Sequence, residues 1–238
     1  MNRAAVILCV SALAYGQPRF EVATIKPVSD TTGSSGIYTG HGNMKAENVT
    51  LKRRIIGAYG VGPNQVVGGP DWLDTDRFNI VAKSGQDIND DEVLNRMVQA
   101  LLAERFGLVL HRESRTMPAY VLEVAKGGPK MEKSTGKRSN STTTGNNSRG
   151  ILKATDTGME LLAQLLARAL DMPVIDRTGL DGVYNFTLQW TPESAQSRPD
   201  AGPSIFTAIQ EQLGLRLRAE KTAVPVLVID RAERPTEN

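Results

Sequence analysis

Two histidines, one cysteine and a short run of aspartates are the residues of this 238-residue chain whose types invite chemistry. His111 ends the alternating stretch Leu108–His111, and Arg112 and Glu113 follow it. A histidine beside a carboxylate is the pairing of a general base, because the carboxylate raises the basicity of the imidazole. The same alternation predicts a strand, however, on which His111 and Arg112 point to opposite faces and cannot converge. His111 then reads as a solvent-facing residue of a salt-bridged sheet. His41 sits in Gly36-Ile37-Tyr38-Thr39-Gly40-His41-Gly42, where it could serve a lid or bind a metal weakly. No second His, Cys or clustered carboxylate stands at ligand spacing from it, so it reads as a loop residue. Asp71, Asp74 and Asp76 alternate around Trp72 and form the richest polar cluster. Three close carboxylates suggest a calcium loop, but the glycine and glutamate of an EF-hand are missing. The three therefore read as residues that cap and close turns.

Other chemistries fail on spacing. Gly57-Ala58-Tyr59-Gly60-Val61-Gly62 has the wrong glycine order for a dinucleotide fingerprint and ends a helix where that fingerprint would open one. Ser204 lies in no Gly-x-Ser-x-Gly elbow. A single cysteine excludes a disulfide framework and a cysteine-based zinc site. Trp72 and Trp190 read first as core residues and otherwise as stacking anchors, Trp72 being nearer the surface beside Pro70. The sequence thus predicts no catalytic set, no metal and no cofactor.

Composition sets the wider bounds. Hydrophobic residues at 40% and charged residues at 23% fit a globular protein, and a net charge of +2 argues against nucleic acid as the partner. The first sixteen residues read as a secretory signal. Arg3 supplies the positive start, Ala4–Ala14 the apolar run and Ala14-Tyr15-Gly16 the small residues of a cleavage site. That run is shorter than the roughly 20 residues that span a bilayer. Membrane contact is expected only through this segment, if it stays uncleaved, and the mature chain is expected in the periplasm or outside the cell.

The elements that must position the candidate residues are organised by a duplication. Leu102–Glu123 falls over Ile209–Asp230 without a gap, at an offset of 107 residues. Gly107 meets Gly214, Glu113 meets Glu220, Pro118 meets Pro225 and His111 meets Arg218. Upstream, Phe78-Asn79-Ile80 falls over Tyr184-Asn185-Phe186 with one residue of slack. Each unit predicts helices with acids in the first turn or a broad apolar face, a glycine stop, and paired strands. The expected order is β-α-β-β-α-β-β twice, with Leu108–His111 and Met117–Val124 as separate strands around a polar turn and Phe20–Ile25 as an extra N-terminal strand. Ser134–Gly150 is almost wholly Ser, Thr, Asn, Gly and base, a composition that predicts a flexible linker or long loop. The expected class is α+β, in two related lobes: residues 1–16 signal, 17–133 first lobe, 134–150 linker, 151–238 second lobe.

The segments Gly69-Pro70-Asp71-Trp72-Leu73 with Arg77-Phe78, Leu101–His111, Val174–Leu180 and Val228-Ile229-Asp230 with Pro235 resemble an uncharacterised family of exported proteins abundant in Acidobacteria and other soil bacteria. The resemblance covers nearly the whole mature chain and implies no catalytic residues. Some relatives occur as exported extensions of membrane metallopeptidases similar to the beta-lactam-sensing type, which implies sensing or binding. At the level of fold, each unit is similar to the short N-terminal domain of secretins and TonB-dependent receptors, which implies a protein or envelope component as partner.

These readings converge on an exported, non-catalytic binding protein, with Trp72, Asp71, Asp74, Asp76, His41 and His111 as candidate contact residues. The alternatives are a ligand sensor whose lobes close on a small molecule, and an envelope hydrolase built on His41 or His111 with a carboxylate partner.

Overall fold

In the computed structural model, residues 18–30, 32–136, 142–146, 150–199 and 201–235 are described, 142–146 as backbone alone; the expected signal at 1–16 lies outside them. The class is α+β. The first sheet has the order β1-β5-β3-β2, from β1 (Val22–Pro27), β2 (Gly36–Gly40), β3 (Asn43–Thr50) and β5 (Arg77–Lys83), and all its pairs are antiparallel. Strict alternation writes the inner face: Phe78, Ile80 and Ala82 of β5 are buried while Asn79, Val81 and Lys83 are exposed. Helices α1 (Leu51–Tyr59) and α3 (Asp91–Phe106) share one core with that inner face. Thr50 caps α1 by accepting from the Arg53 N–H, and Asp90 caps α3 by accepting from the Glu92 and Val93 N–H groups.

A second sheet repeats this plan. Its order is β7-β11-β9-β8, from β7 (Glu132–Ser134), β8 (Thr142–Asn146), β9 (Ile151–Thr157) and β11 (Val183–Gln189). Helix α4 (Met159–Leu170) and the short α5 (Ile205–Ala208), continued by a π-helical turn over Ile209–Leu213, share its core. Both sheets carry a bulge at the matching place. Asn48 and Asp156 adopt positive φ values of 53° and 50°, and their N–H groups donate to Asn79 Oδ1 at 2.9 Å and Asn185 Oδ1 at 3.0 Å. An asparagine in each neighbouring strand thus satisfies the donor that the bulge frees.

The third sheet departs from expectation. Its order is β10-β6-β12-β4, where β6 (Val109–Val124) and β12 (Leu215–Arg231) are each one long strand, flanked by β10 (Val174–Asp176) and β4 (Val66–Gly68). The polar turn expected between Leu108–His111 and Met117–Val124 is absent, and the unit order is not β-α-β-β-α-β-β. Charged residues at Glu113 and Arg115 mark the solvent side of a continuous strand, since both are exposed or half-buried and ion-paired. The ladder places Thr116 opposite Ala223, two residues 107 apart, so the two long strands cross about a local two-fold axis. The Tyr120 N–H donates to the Pro173 carbonyl at 2.8 Å, so Pro118, two residues earlier, presents its missing N–H to the same edge just outside β10. Pro225 stands likewise just before Leu227, the first partner of β4.

Strands are exchanged between the halves: β4 pairs with β12, and β10 pairs with β6. The first core includes Leu227 and Ile229 of β12, and the second includes Leu122 of β6. The boundary expected at 134–150 therefore separates no sheets, and Thr142–Asn146, inside the expected linker, is an edge strand paired with β9.

Candidate functional site

The aspartate cluster and its tryptophan sit at one end of the first sheet. Trp72 opens the short helix α2 (Trp72–Thr75) and is buried, edge-on to Phe78 at 6.3 Å between ring centroids. The Arg234 guanidinium covers its ring at 5.3 Å from the centroid and donates from Nε to Asp76 Oδ2 at 2.7 Å. Asp74 Oδ2 accepts from Lys52 Nζ at 2.9 Å. Asp71 stands at the N-cap of α2 and makes no side-chain cap bond. The expected turn-closing role does not describe this cluster: two of its three carboxylates are answered by cations from distant parts of the chain.

Beside this pair opens a cleft of about 460 Å³, lined by Pro27, Val28, Thr75, Asp76, Arg77, Phe78, Arg234 and Pro235. Its lining joins the apolar groups of Phe78, Val28 and the prolines to one carboxylate and two guanidinium groups. The Arg77 Nη1 also donates to the Asn48 carbonyl at 2.8 Å, which fixes that wall to the bulge of β3. Concave, mostly apolar sites of roughly 300–1,000 Å³ with a few polar groups are the usual form of a ligand pocket. The alternation of Asp and Trp drew attention to this place; Arg234, more than 150 residues away in sequence, gave no such signal.

The histidines lie elsewhere. His41 occupies the β2–β3 turn at φ 50°, exposed, with Nδ1 2.9 Å from Asp87 Oδ1 and its N–H on Asn89 Oδ1 at 3.3 Å. His111 lies on the open face of the central sheet. Its Nδ1 is 2.9 Å from Asp230 Oδ2, and its Nε2 is 3.8 Å from Glu113 Oε2. The hydrogen bond that His111 donates to Asp230, helped by the charges of Asp230 and Glu113, raises the imidazole pKa above its ordinary value. A bulge between Ile229 and Arg231 turns Asp230 toward the ring. With a carboxylate at each nitrogen, this imidazole is arranged as a cation between two anions, where a general base needs a free lone pair aimed at a substrate. The alignment that sets Arg218 over His111 also sets Glu123 over Asp230. Arg218 is held in the same way, 3.0 Å from Glu123 and 2.5 Å from Glu220.

A third feature went unnoticed in the sequence. The outer face of the first sheet exposes Val22 (63%), Tyr38 (63%) and Val81 (41%) among Lys26, Lys45 and Lys83. No such exposed hydrophobics lie among the described side chains of the second sheet, whose outer face carries Lys153, Thr155, Thr187 and Gln189.

Among the described residues no group of three His, Cys, Asp or Glu side chains is placed to hold a metal ion, and no helix is long and apolar enough to cross a membrane. An α+β scaffold with a cleft defines the protein only by class; comparison supplies the family. Residues 52–232 match a protein family of unknown function, DUF3738, and the chain belongs to that family. No curated protein matches the chain. No solved structure matches it either.

Proposed function

We propose that this chain is an exported, non-catalytic binding protein that holds an extended segment of an envelope protein in the Asp76–Arg234 cleft. The observation that carries this reading is the cleft itself, whose lining sets Phe78, Pro27 and Pro235 beside Asp76, Arg77 and Arg234. An extended chain suits the place, because β1 is an edge strand and the cleft opens where it ends at Pro27. The lining charges would orient the segment while the apolar groups take its apolar side chains. The sandwiched state of His111, with both nitrogens facing carboxylates, favours binding over hydrolysis.

The test is peptide selection by display on residues 17–238, with an Arg234→Ala chain used for counter-selection. Enriched peptides are expected to change the fluorescence of Trp72 in a Trp190→Phe background and to bind Arg234→Ala at least tenfold more weakly, the scale set by one charge-assisted hydrogen bond. Peptides that bind both chains equally would remove the cleft from the account.

A further inference from the structure

Helix α1 carries a cation at a core position. Arg54 is the fourth residue of α1 and 3% exposed, while the fourth residue of α4, Leu162, is 0% exposed. The Arg54 Nε is buried with no hydrogen-bond partner. No carboxylate is ion-paired with the guanidinium among the described residues. Its Nη1 lies 3.6 Å from where a Cβ on Gly57 would stand, so the guanidinium runs along the helix toward its C-terminal end. One turn further, Gly60 meets α4: a Cβ there would stand 3.1 Å from Gln164 Nε2. Beyond it, the Asn64 side chain donates to the Asp171 carbonyl at 2.6 Å and ties the two helices together. Gly57 and Gly60, three residues apart, share one flank of α1, so Arg54 runs along the flank that meets α4.

Two further arginines border that crossing. Arg53 donates from Nη1 to the Ser35 hydroxyl at 2.5 Å, and Arg168 lies one turn beyond Gln164 on the same flank of α4. Neither is ion-paired among the described residues. Burial, then the nearby Arg53 charge, brings the Arg54 pKa down to about 10; at Arg168, an exposed residue, partial desolvation and then the Arg53 charge lower the pKa. Arg54 and Arg168 remain cations at neutral pH. A buried guanidinium without a partner is strongly unfavourable unless an anion shares its site.

We propose that the α1–α4 crossing is a binding site for the oxyanion of a small molecule, a carboxylate or a phosphate, gripped by Arg54 and bordered by Arg53 and Arg168. The planar fork of a guanidinium matches either oxyanion with two parallel hydrogen bonds. Because α1 and α4 belong to different halves of the chain, the bound anion would brace one half against the other, independently of the Asp76–Arg234 cleft.

The test is thermal unfolding of residues 17–238 with inorganic phosphate or citrate, each against sodium chloride at equal ionic strength. At least one probe is expected to raise the melting temperature saturably above the chloride control, and the comparison of the two identifies the preferred oxyanion. Arg54→Leu is expected to melt higher than wild type in chloride and to lose the response. Arg168→Gln, at an exposed position, is expected to keep the fold and weaken the response about tenfold, the scale of one charge-assisted hydrogen bond. No rise above chloride, an unchanged response in Arg168→Gln or in a folded Arg54→Leu chain, or a folded Arg54→Leu chain that melts below wild type in chloride would each overturn the site. If Arg54→Leu does not fold, the Arg168→Gln comparison decides alone.

Discussion

At the scale of the residue, His111 and Arg218 are two versions of one device. Each stands on a long central strand between two carboxylates, Asp230 and Glu113 for the histidine, Glu123 and Glu220 for the arginine. Arg218 is a permanent cation; His111 is one only while protonated. Its pKa is raised in the folded chain by the Asp230 hydrogen bond, so its stabilising contribution is complete below the ordinary value of 6.5 and is lost as pH rises through the folded value. The melting temperature of wild type relative to His111→Gln is therefore expected to fall as pH rises above 6.5, and His111→Arg is expected to remove that dependence. Thermal melts across pH 5.5–8.5 check both, and a flat difference would refute the sandwich. Trp72 acts differently: closed between Phe78 and Arg234, it is structural, and Trp72→Ala is expected to cost about 3 to 5 kcal/mol in urea unfolding. Sequence gave the pairing of His111 with Glu113 and the three aspartates. It hid Arg234 and Asp230, because partners brought together by tertiary structure leave no local spacing to read.

At the scale of the element, the helices were the most legible parts. First-turn acids, a broad apolar face and a glycine stop marked them, and Gly107 and Gly214 end their helices at φ 54° and 67° as expected. The strands were harder. A charged run such as Glu113–Thr116 looks like a turn until its cross-strand partners are known, and the threonines of β8 look like a linker until β9 lies beside them. The bulges were hidden as well, although Asn79 and Asn185 aligned. Their side chains accept from the Asn48 and Asp156 N–H groups, so Asn79→Ala and Asn185→Ala are each expected to cost about 1 to 3 kcal/mol, the range for a buried donor left without its acceptor. Chemical unfolding of the two variants checks this, and similar losses would also support a common origin for the two halves.

At the scale of the whole molecule, the exchange of β4 and β10 across the β6–β12 ladder decides how the chain folds. Residues 18–133 alone would leave the β12 side of the ladder unpaired and the first core without Leu227 and Ile229. That fragment is expected to remain largely unfolded by circular dichroism and to gain structure when residues 150–235 are added; independent folding of either fragment would refute the interlocked reading. Composition and periodicity announced the α+β class, but the two expected lobes gave no sign that strands would be exchanged between the halves, because antiparallel pairing across a two-fold axis joins residues that are far apart in sequence. The proposed function rests on the cleft at one end of this frame. The most direct test is site-specific photo-crosslinking in the intact envelope, with the reactive group at Thr75 in the cleft lining or at Thr187 on the outer face of the second sheet. The account predicts a discrete adduct from Thr75 that disappears in Arg234→Ala and is absent from Thr187. Identical adducts from both positions, or none from Thr75, would contradict it.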